Sequence, residues 1–405
     1  MSSLSQAADS LFAPISASRP LLLEKFVLLL LAADIWSTRS GGASRYDADE
    51  FQLAHFGWLD ALQPTPNETI YLATLVLTGL LSVTLAVANL GLVWRLALVV
   101  LYSYTWAMSR LDSYQHHYLL SWVLLCVAFF PTLRLSEVAN TEKGRPLACA
   151  WAWRLLGLLI AMVYVWTSVA KLDDVWRSGA GLAQLSGAKN LLSPFAALFP
   201  GRLGVYAFAA NATIVVELMI AAGYAVSALA ADQSGRFTRL LSWVSWALAI
   251  ALHAGFELAG LKIGWFSYWM IAAACVYFLP DPALQAVVQR IRKAWLRFIE
   301  MSRSLFPDEE KHPTTALGML FPTIVLCLGI PRMIDLPGVG VAAAAAWAAA
   351  ALHCVSRRSQ KSLEIMVGLT LAVLLLFTCV LATGPQSQFY TYRLAQLQRR
   401  GDWEA

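Results

Sequence analysis

Charge is what this sequence has least of. Asp, Glu, Lys and Arg supply 14% of its 405 residues, where a soluble globular chain carries about 25%. That is too little to clothe a water-facing surface, so a soluble enzyme with a single apolar anchor is excluded. Cysteine is also sparse. Six residues, at 126, 149, 275, 327, 354 and 379, fall almost entirely inside apolar runs, and no Cys-x-x-Cys pair occurs. They read as small buried hydrophobes, so disulfide and zinc frameworks gain no support. There is no Gly-x-Ser-x-Gly elbow, no phosphate-binding glycine loop and no dinucleotide fingerprint. The first 19 residues lack the three-part layout of a cleaved signal peptide. The net charge of +5 is spread over loops rather than gathered in a tail. In an apolar chain this speaks to membrane topology and not to nucleic acid.

What is present is apolar sequence: 59% hydrophobic residues and a mean hydropathy of +0.60. A bilayer core takes about 20 residues per helix. On that measure eleven segments qualify, near 21–37, 69–91, 93–109, 117–133, 149–170, 205–230, 238–258, 263–280, 314–334, 337–355 and 363–383. The expected fold is all-α, a polytopic membrane bundle of about 9–11 helices. Its strong basic clusters, above all Arg290 to Lys311, fall on one side. The positive-inside rule then places the N-terminus in the cytoplasm, as in a multi-pass protein of a bacterial inner membrane. Two segments, 38–68 and 172–204, are expected to fold over the outer mouth. Residues 284–305 interleave basic and apolar side chains and predict an amphipathic helix at the inner interface, drawn to anionic lipid.

Ionisable groups inside spans are costly and mark function or a buried pair. Lys171 ends the fifth span, followed by Asp173 and Asp174. It reads equally as an anchor reaching water along its own stem and as a base set by partial withdrawal from water. His116 and His117 open the fourth span, and at most one of two neighbours points into a site. Arg154 and Glu217 are a candidate structural pair. His253 and Glu257, four apart, share a helical face. His116, His253 and Glu257 could supply three metal ligands, but without a metal-site spacing no metal is expected.

Several runs, in order, carry a likeness to a known family: Asp34-Ile35 with Arg39; Phe56-Gly-Trp-Leu-Asp60; Gln115-His116-His117-Tyr118-Leu119; Tyr164 and Val169-Ala-Lys171-Leu172-Asp173 with Trp176; Leu192-Ser193-Pro194-Phe195; Glu217; and His253 with Gly264-x-Phe266-Ser267-Tyr268. The chain resembles the horizontally transferred transmembrane (HTTM) domain family, which includes the membrane region of the vitamin K-dependent gamma-glutamyl carboxylases. The resemblance spans 20–280, with the interfacial helix at 284–305, further membrane helices at 313–383 and a polar tail at 384–405. It implies Lys171 as the base that deprotonates a reduced quinone of vitamin K or menaquinol type, with His116 supporting the site. Gln115, Tyr118, Glu217, His253 and Tyr268 are implied to bind substrate. The implied activity is a quinol- and oxygen-dependent membrane enzyme of carboxylase type. The alternative is a non-catalytic scaffold, or a lipid- or quinone-binding protein that keeps the fold. Implied partners are the bilayer and a hydrophobic quinone or lipid, with a protein substrate left open. Ala170 stands where the animal enzymes have a second lysine, Gln115 where they have asparagine and Glu24 where they have arginine.

Overall fold

The computed structural model describes residues 14–39, 68–88, 90–107, 115–139, 150–201, 203–229, 235–259 and 265–305. They are all-α, with no strand among them. The helices expected within 313–383, the tail at 384–405 and nearly all of the loop at 38–68 lie outside the described residues. The helices are α1 (Ser18–Asp34, continued by a π turn, Ile35–Arg39), α2 (Glu68–Val87), α3 (Leu92–Ala107), α4 (Gln115–Ala128), α5 (Leu135–Ala139) and α6 (Trp151–Ala170). Three short helices follow: α7 (Asp174–Arg177), α8 (Ala180–Gln184) and α9 (Ser186–Leu192), with a 3-10 turn at Ser193–Leu198. Then come α10 (Gly204–Leu229), α11 (Arg236–Leu258), α12 (Phe266–Phe278) and α13 (Asp281–Leu305).

Each of the first eight expected spans coincides with a helix, but not every helix has spanning length. Four of the described helices, α2, α6, α10 and α11, are long and apolar enough to cross a membrane. The pair α12 and α13, bent by 119°, makes a fifth if taken as one span. The helices α3 and α4 are apolar but only 16 and 14 residues long. The segment expected at the interface is a continuous helix that starts at Asp281, three residues ahead of the expected boundary. Pro280 stops α12, since proline has no N–H to continue the ladder, and Pro282 is tolerated in the first turn of α13. The protein is thus a polytopic membrane helix bundle.

The chain divides into two units, one of residues 1–26 and 129–294, the other of 27–128 and 295–405. In the first, α10 packs along α6, and α11 packs against both α10 and α12. Close approach needs small residues, as is usual where no hydrophobic drive pulls helices together in lipid. A Cβ at Gly157 would come within 2.9 Å of the Tyr277 ring, and one at Gly223 would collide with Ser245. Trp153 stacks on Tyr277 at 4.0 Å, and the Tyr277 hydroxyl donates to the Trp153 carbonyl at 2.6 Å. The outward side of α11 stays apolar, with Phe237 and Leu240 exposed, as a lipid-facing helix requires.

The same unit holds a rigid elbow. Arg19, 6% exposed, donates to the carbonyls of Val276, Tyr277 and Leu279 and pairs with Asp281 at 2.8 Å. It thereby satisfies carbonyls that the end of α12 leaves without helical partners. Gln285 is gripped from both sides, accepting from Ser18 at 2.5 Å and donating to the Val138 carbonyl at 2.9 Å.

In the second unit, α2 packs on the π turn and on α3, and α3 packs on α4. The Trp36 ring lies so close to Gly79 that any side chain there would displace it. Ser82 donates to the Leu28 carbonyl at 2.7 Å. Thr74, Thr78 and Thr84 return their hydroxyls to carbonyls one turn back, so their polar groups are satisfied inside the helix.

Candidate functional site

The last two turns of α6 place Tyr164, Ser168 and Lys171 on one face, at the three- and four-residue spacing of a helical stripe. Lys171 closes the helix. Its ammonium donates to both oxygens of Glu217 on α10, at 2.7 and 3.0 Å, and to the Thr167 carbonyl at 3.3 Å. The lysine side chain is 18% exposed and the glutamate 4%, so the pair has one flank towards solvent and the other inside the bundle. The Trp176 ring lies under the ammonium at 5.4 Å, close enough for a cation–π attraction. Trp176 is fixed in turn by its indole N–H on the Ala210 carbonyl, at 3.0 Å.

The first of the two aspartates after the lysine does other work. Asp173 caps α7, accepting from the Trp176 backbone N–H at 2.9 Å, which is the usual employment of aspartate at a helix start. Beyond α7 the chain turns at Gly179, φ +79°, against the backbone of Tyr206 and Ala207. A side chain there would meet both steric and conformational strain. Asn211 ties α7 to α10 by donating to the Arg177 carbonyl at 2.9 Å.

Deeper in, Ser168 donates to the Tyr164 carbonyl at 2.9 Å and lies 3.3 Å from Glu217 Oε2. The Tyr164 hydroxyl shares a 2.7 Å hydrogen bond with His253 Nε2. His253 is 1% exposed, and its other ring nitrogen, Nδ1, has no partner. Two pairings expected from sequence change here. Glu217 serves Lys171 and not Arg154, whose Nη1 donates to the Ala228 carbonyl at 2.5 Å. His253 turns to α6, among Phe256 and Phe266, while Glu257 on its own helix is exposed.

The other implied site residues are placed as follows. Tyr268, at the start of α12, is 45% exposed. Gln115, His116 and Tyr118 open α4, in the second unit. Tyr118 is 55% exposed. Of the two histidines, His117 is the buried one, its Nδ1 2.9 Å from the Tyr102 hydroxyl. His116 lies beside it, ring centroids 4.2 Å apart. Lys171, Glu217 and His253 therefore share one unit, and the residues around His116 belong to the other. Tyr164 and Ser168 were not among the expected site residues, although their spacing puts them on one stripe with Lys171. Among the described residues, no three His, Cys, Asp or Glu side chains gather as a metal site.

Chemically, the site offers a cation with an open flank, a carboxylate hydrogen-bonded to it, and a buried imidazole nitrogen without a partner. This defines a class: a polytopic membrane protein with an ion-paired lysine at the end of a spanning helix. The HTTM domain matches residues 12–281, about two-thirds of the sequence, and the chain belongs to that family. No solved structure matches the chain.

Proposed function

We propose that this protein is a membrane enzyme of the carboxylase-related type, acting on a reduced quinone with oxygen, and that Lys171 is its base. The observation that carries the reading is the Lys171–Glu217 pair, held at 2.7 Å with the lysine flank open. The residues fit a hydroquinone on two counts. Val169 and Leu172 present apolar surface on either side of the lysine, suited to a ring and its hydrocarbon tail. His253 Nδ1 is a buried polar atom without a partner. Lys171 and Glu217 would hold the ring hydroxyl end. When bound, a reduced quinone supplies an acidic hydroxyl and two electrons for oxygen.

In this reading Glu217 takes a proton from the Lys171 ammonium, and the freed amine accepts the hydroxyl proton of the ligand. The lysine is then an ammonium again, Glu217 is neutral, and the negative charge has passed from the carboxylate to the ligand oxygen beside the ammonium. Trp176 keeps the lysine on its helix end through ring contact, and Thr167 receives one N–H throughout. The test is quinol-dependent oxygen uptake, with formation of quinone epoxide, by the purified protein. Lys171→Ala should abolish it, and Glu217→Gln should lower it by about 10²-fold, the scale on which a positioned proton-transfer group contributes. Unchanged turnover in Lys171→Ala would end the assignment.

One observation favours a second reading. Nζ already has three acceptors, as many as an ammonium has protons, which suits a structural brace in a quinone- or lipid-binding protein. Mass spectrometry of a quinol incubated with the protein and oxygen separates the two, because a binder returns it unaltered.

A further inference from the structure

We propose that Ser168 is a positioning residue for the proton that leaves Lys171, its hydroxyl accepting from Glu217 Oε2 while that carboxyl is neutral. This rests on the proposed role of Lys171 as base, and it adds the group that holds the transferred proton. The surroundings of the hydroxyl carry it. Ser168 is buried, one turn below Lys171. Three acceptors surround its Oγ: the Tyr164 carbonyl at 2.9 Å, Glu217 Oε2 at 3.3 Å and the Ile214 carbonyl at 3.4 Å. A serine hydroxyl has one proton and two lone pairs, so it cannot serve all three at once. The two carbonyls only accept. A carboxylate also only accepts, but it becomes a donor once it takes a proton. Ser168 is therefore the neighbour of Glu217 that can either donate to it or accept from it. The two carboxylate oxygens differ in this respect. Oε1 meets the lysine alone, at 2.7 Å, whereas Oε2 meets the lysine at 3.0 Å and the serine as well.

The need for an acceptor arises during the reaction. An N–H bond of the Lys171 ammonium breaks and an O–H bond forms at Oε2. The freed amine then takes the hydroxyl proton of the ligand and is an ammonium again. An ammonium has three donors and no lone pair, so it cannot receive the new O–H of Glu217. The glutamate side chain is 4% exposed, which leaves bulk water out of reach. Among the described residues, Ser168 Oγ is the acceptor beside Oε2. It receives the carboxyl proton on a lone pair while its own proton stays on the nearer Tyr164 carbonyl. The two hydrogen bonds then run in line and polarise each other. Without Ser168 the neutral carboxyl would be a buried donor with no acceptor, and its formation would be opposed.

The test uses the full-length protein in detergent micelles and menaquinol as the probe. Infrared difference spectra are recorded on adding the quinol without oxygen, so that proton transfer is seen apart from turnover. The unaltered protein should show the C=O stretch of a neutral carboxyl, absent from Glu217→Gln. In Ser168→Ala that band should move to higher frequency, because the carboxyl O–H has lost its acceptor. Ser168→Thr keeps the hydroxyl and should leave the band in place, which keeps the test decisive even if the alanine variant folds poorly. With oxygen admitted, kcat of Ser168→Ala should fall by about 10- to 100-fold, with KM unchanged because the serine does not touch the ligand. A band that stays put in Ser168→Ala, a band that moves in Ser168→Thr, an unchanged kcat, or a loss carried by KM would overturn the proposal. Lys171→Ala in the same series tells the two failures apart. Turnover that survives there ends the base assignment, and this inference with it. Turnover lost there but kept in Ser168→Ala removes the role of Ser168 alone.

Discussion

Each unit contains a tyrosine hydrogen-bonded to a buried histidine, and the two pairs differ in an instructive way. In the first unit Tyr164 meets His253 Nε2 at 2.7 Å; in the second Tyr102 meets His117 Nδ1 at 2.9 Å. Beside the His117 pair, Ser103 and the Trp106 indole both donate to Ser121, at 3.0 and 2.9 Å, one turn along α4. The His253 pair sits on the stripe that ends in the ion pair, with Ser168 between the tyrosine and Glu217. The same two side chains thus tie α3 to α4 in one place and form the inner wall of a charged site in the other. What marks the second place is the lysine and the carboxylate at the end of its stripe.

That contrast can be broken or sharpened by substitution. The largest effect is expected from Glu217→Ala, which strands a partly buried ammonium. Removing one partner of a buried pair costs about 3–5 kcal/mol, read as a lowered midpoint in denaturant or heat for the protein in micelles. If Glu217→Ala melted like the unaltered protein, the charged site would be no different from the Tyr102–His117 tie. Next comes Tyr164→Phe, which leaves His253 with neither ring nitrogen bonded. About 1–3 kcal/mol is the scale for a buried polar group left unsatisfied. Tyr102→Phe should cost less and leave turnover at Lys171 unaltered, whereas Tyr164→Phe should lower it. Equal effects of the two would erase the comparison. The smallest change belongs to Asp173→Ala, an exposed helix cap worth about 1 kcal/mol, detectable as faster exchange in α7 with the ion pair intact.

The helices were legible from the sequence because an apolar run of spanning length has few other outcomes. Their ends were less so. Pro131 and Pro280 set the limits of α4 and α12 earlier than hydropathy alone suggests, since the residue before a proline is pushed out of helical geometry. Lys171, Glu217 and His253 could each be singled out as ionisable groups in an apolar setting. Their pairings could not. Glu217 lies 46 residues from Lys171, and spacing says nothing about which of two cations, Lys171 or Arg154, a carboxylate on another helix will meet. Asp173 and Asp174 were the obvious neighbours of the lysine in the chain, but Asp173 caps the next helix. His253 and Glu257 share a face by spacing, yet the packing of α11 on α10 and α12 turns the imidazole inward and leaves the carboxylate outside. Periodicity assigns a residue to a side of its own helix. The choice of partner is made by how helices cross.

The grip of Arg19 on the elbow has a consequence for biogenesis. The carbonyls of Val276, Tyr277 and Leu279 and the carboxylate of Asp281 lie 257 to 262 residues beyond it. A ribosome releasing about 5–20 residues per second delivers them some tens of seconds after the arginine. Throughout that interval the guanidinium at the head of α1 is without these acceptors. Closure of the elbow is therefore a late event in assembly, and it joins the first of the described helices to the last segment of the family domain.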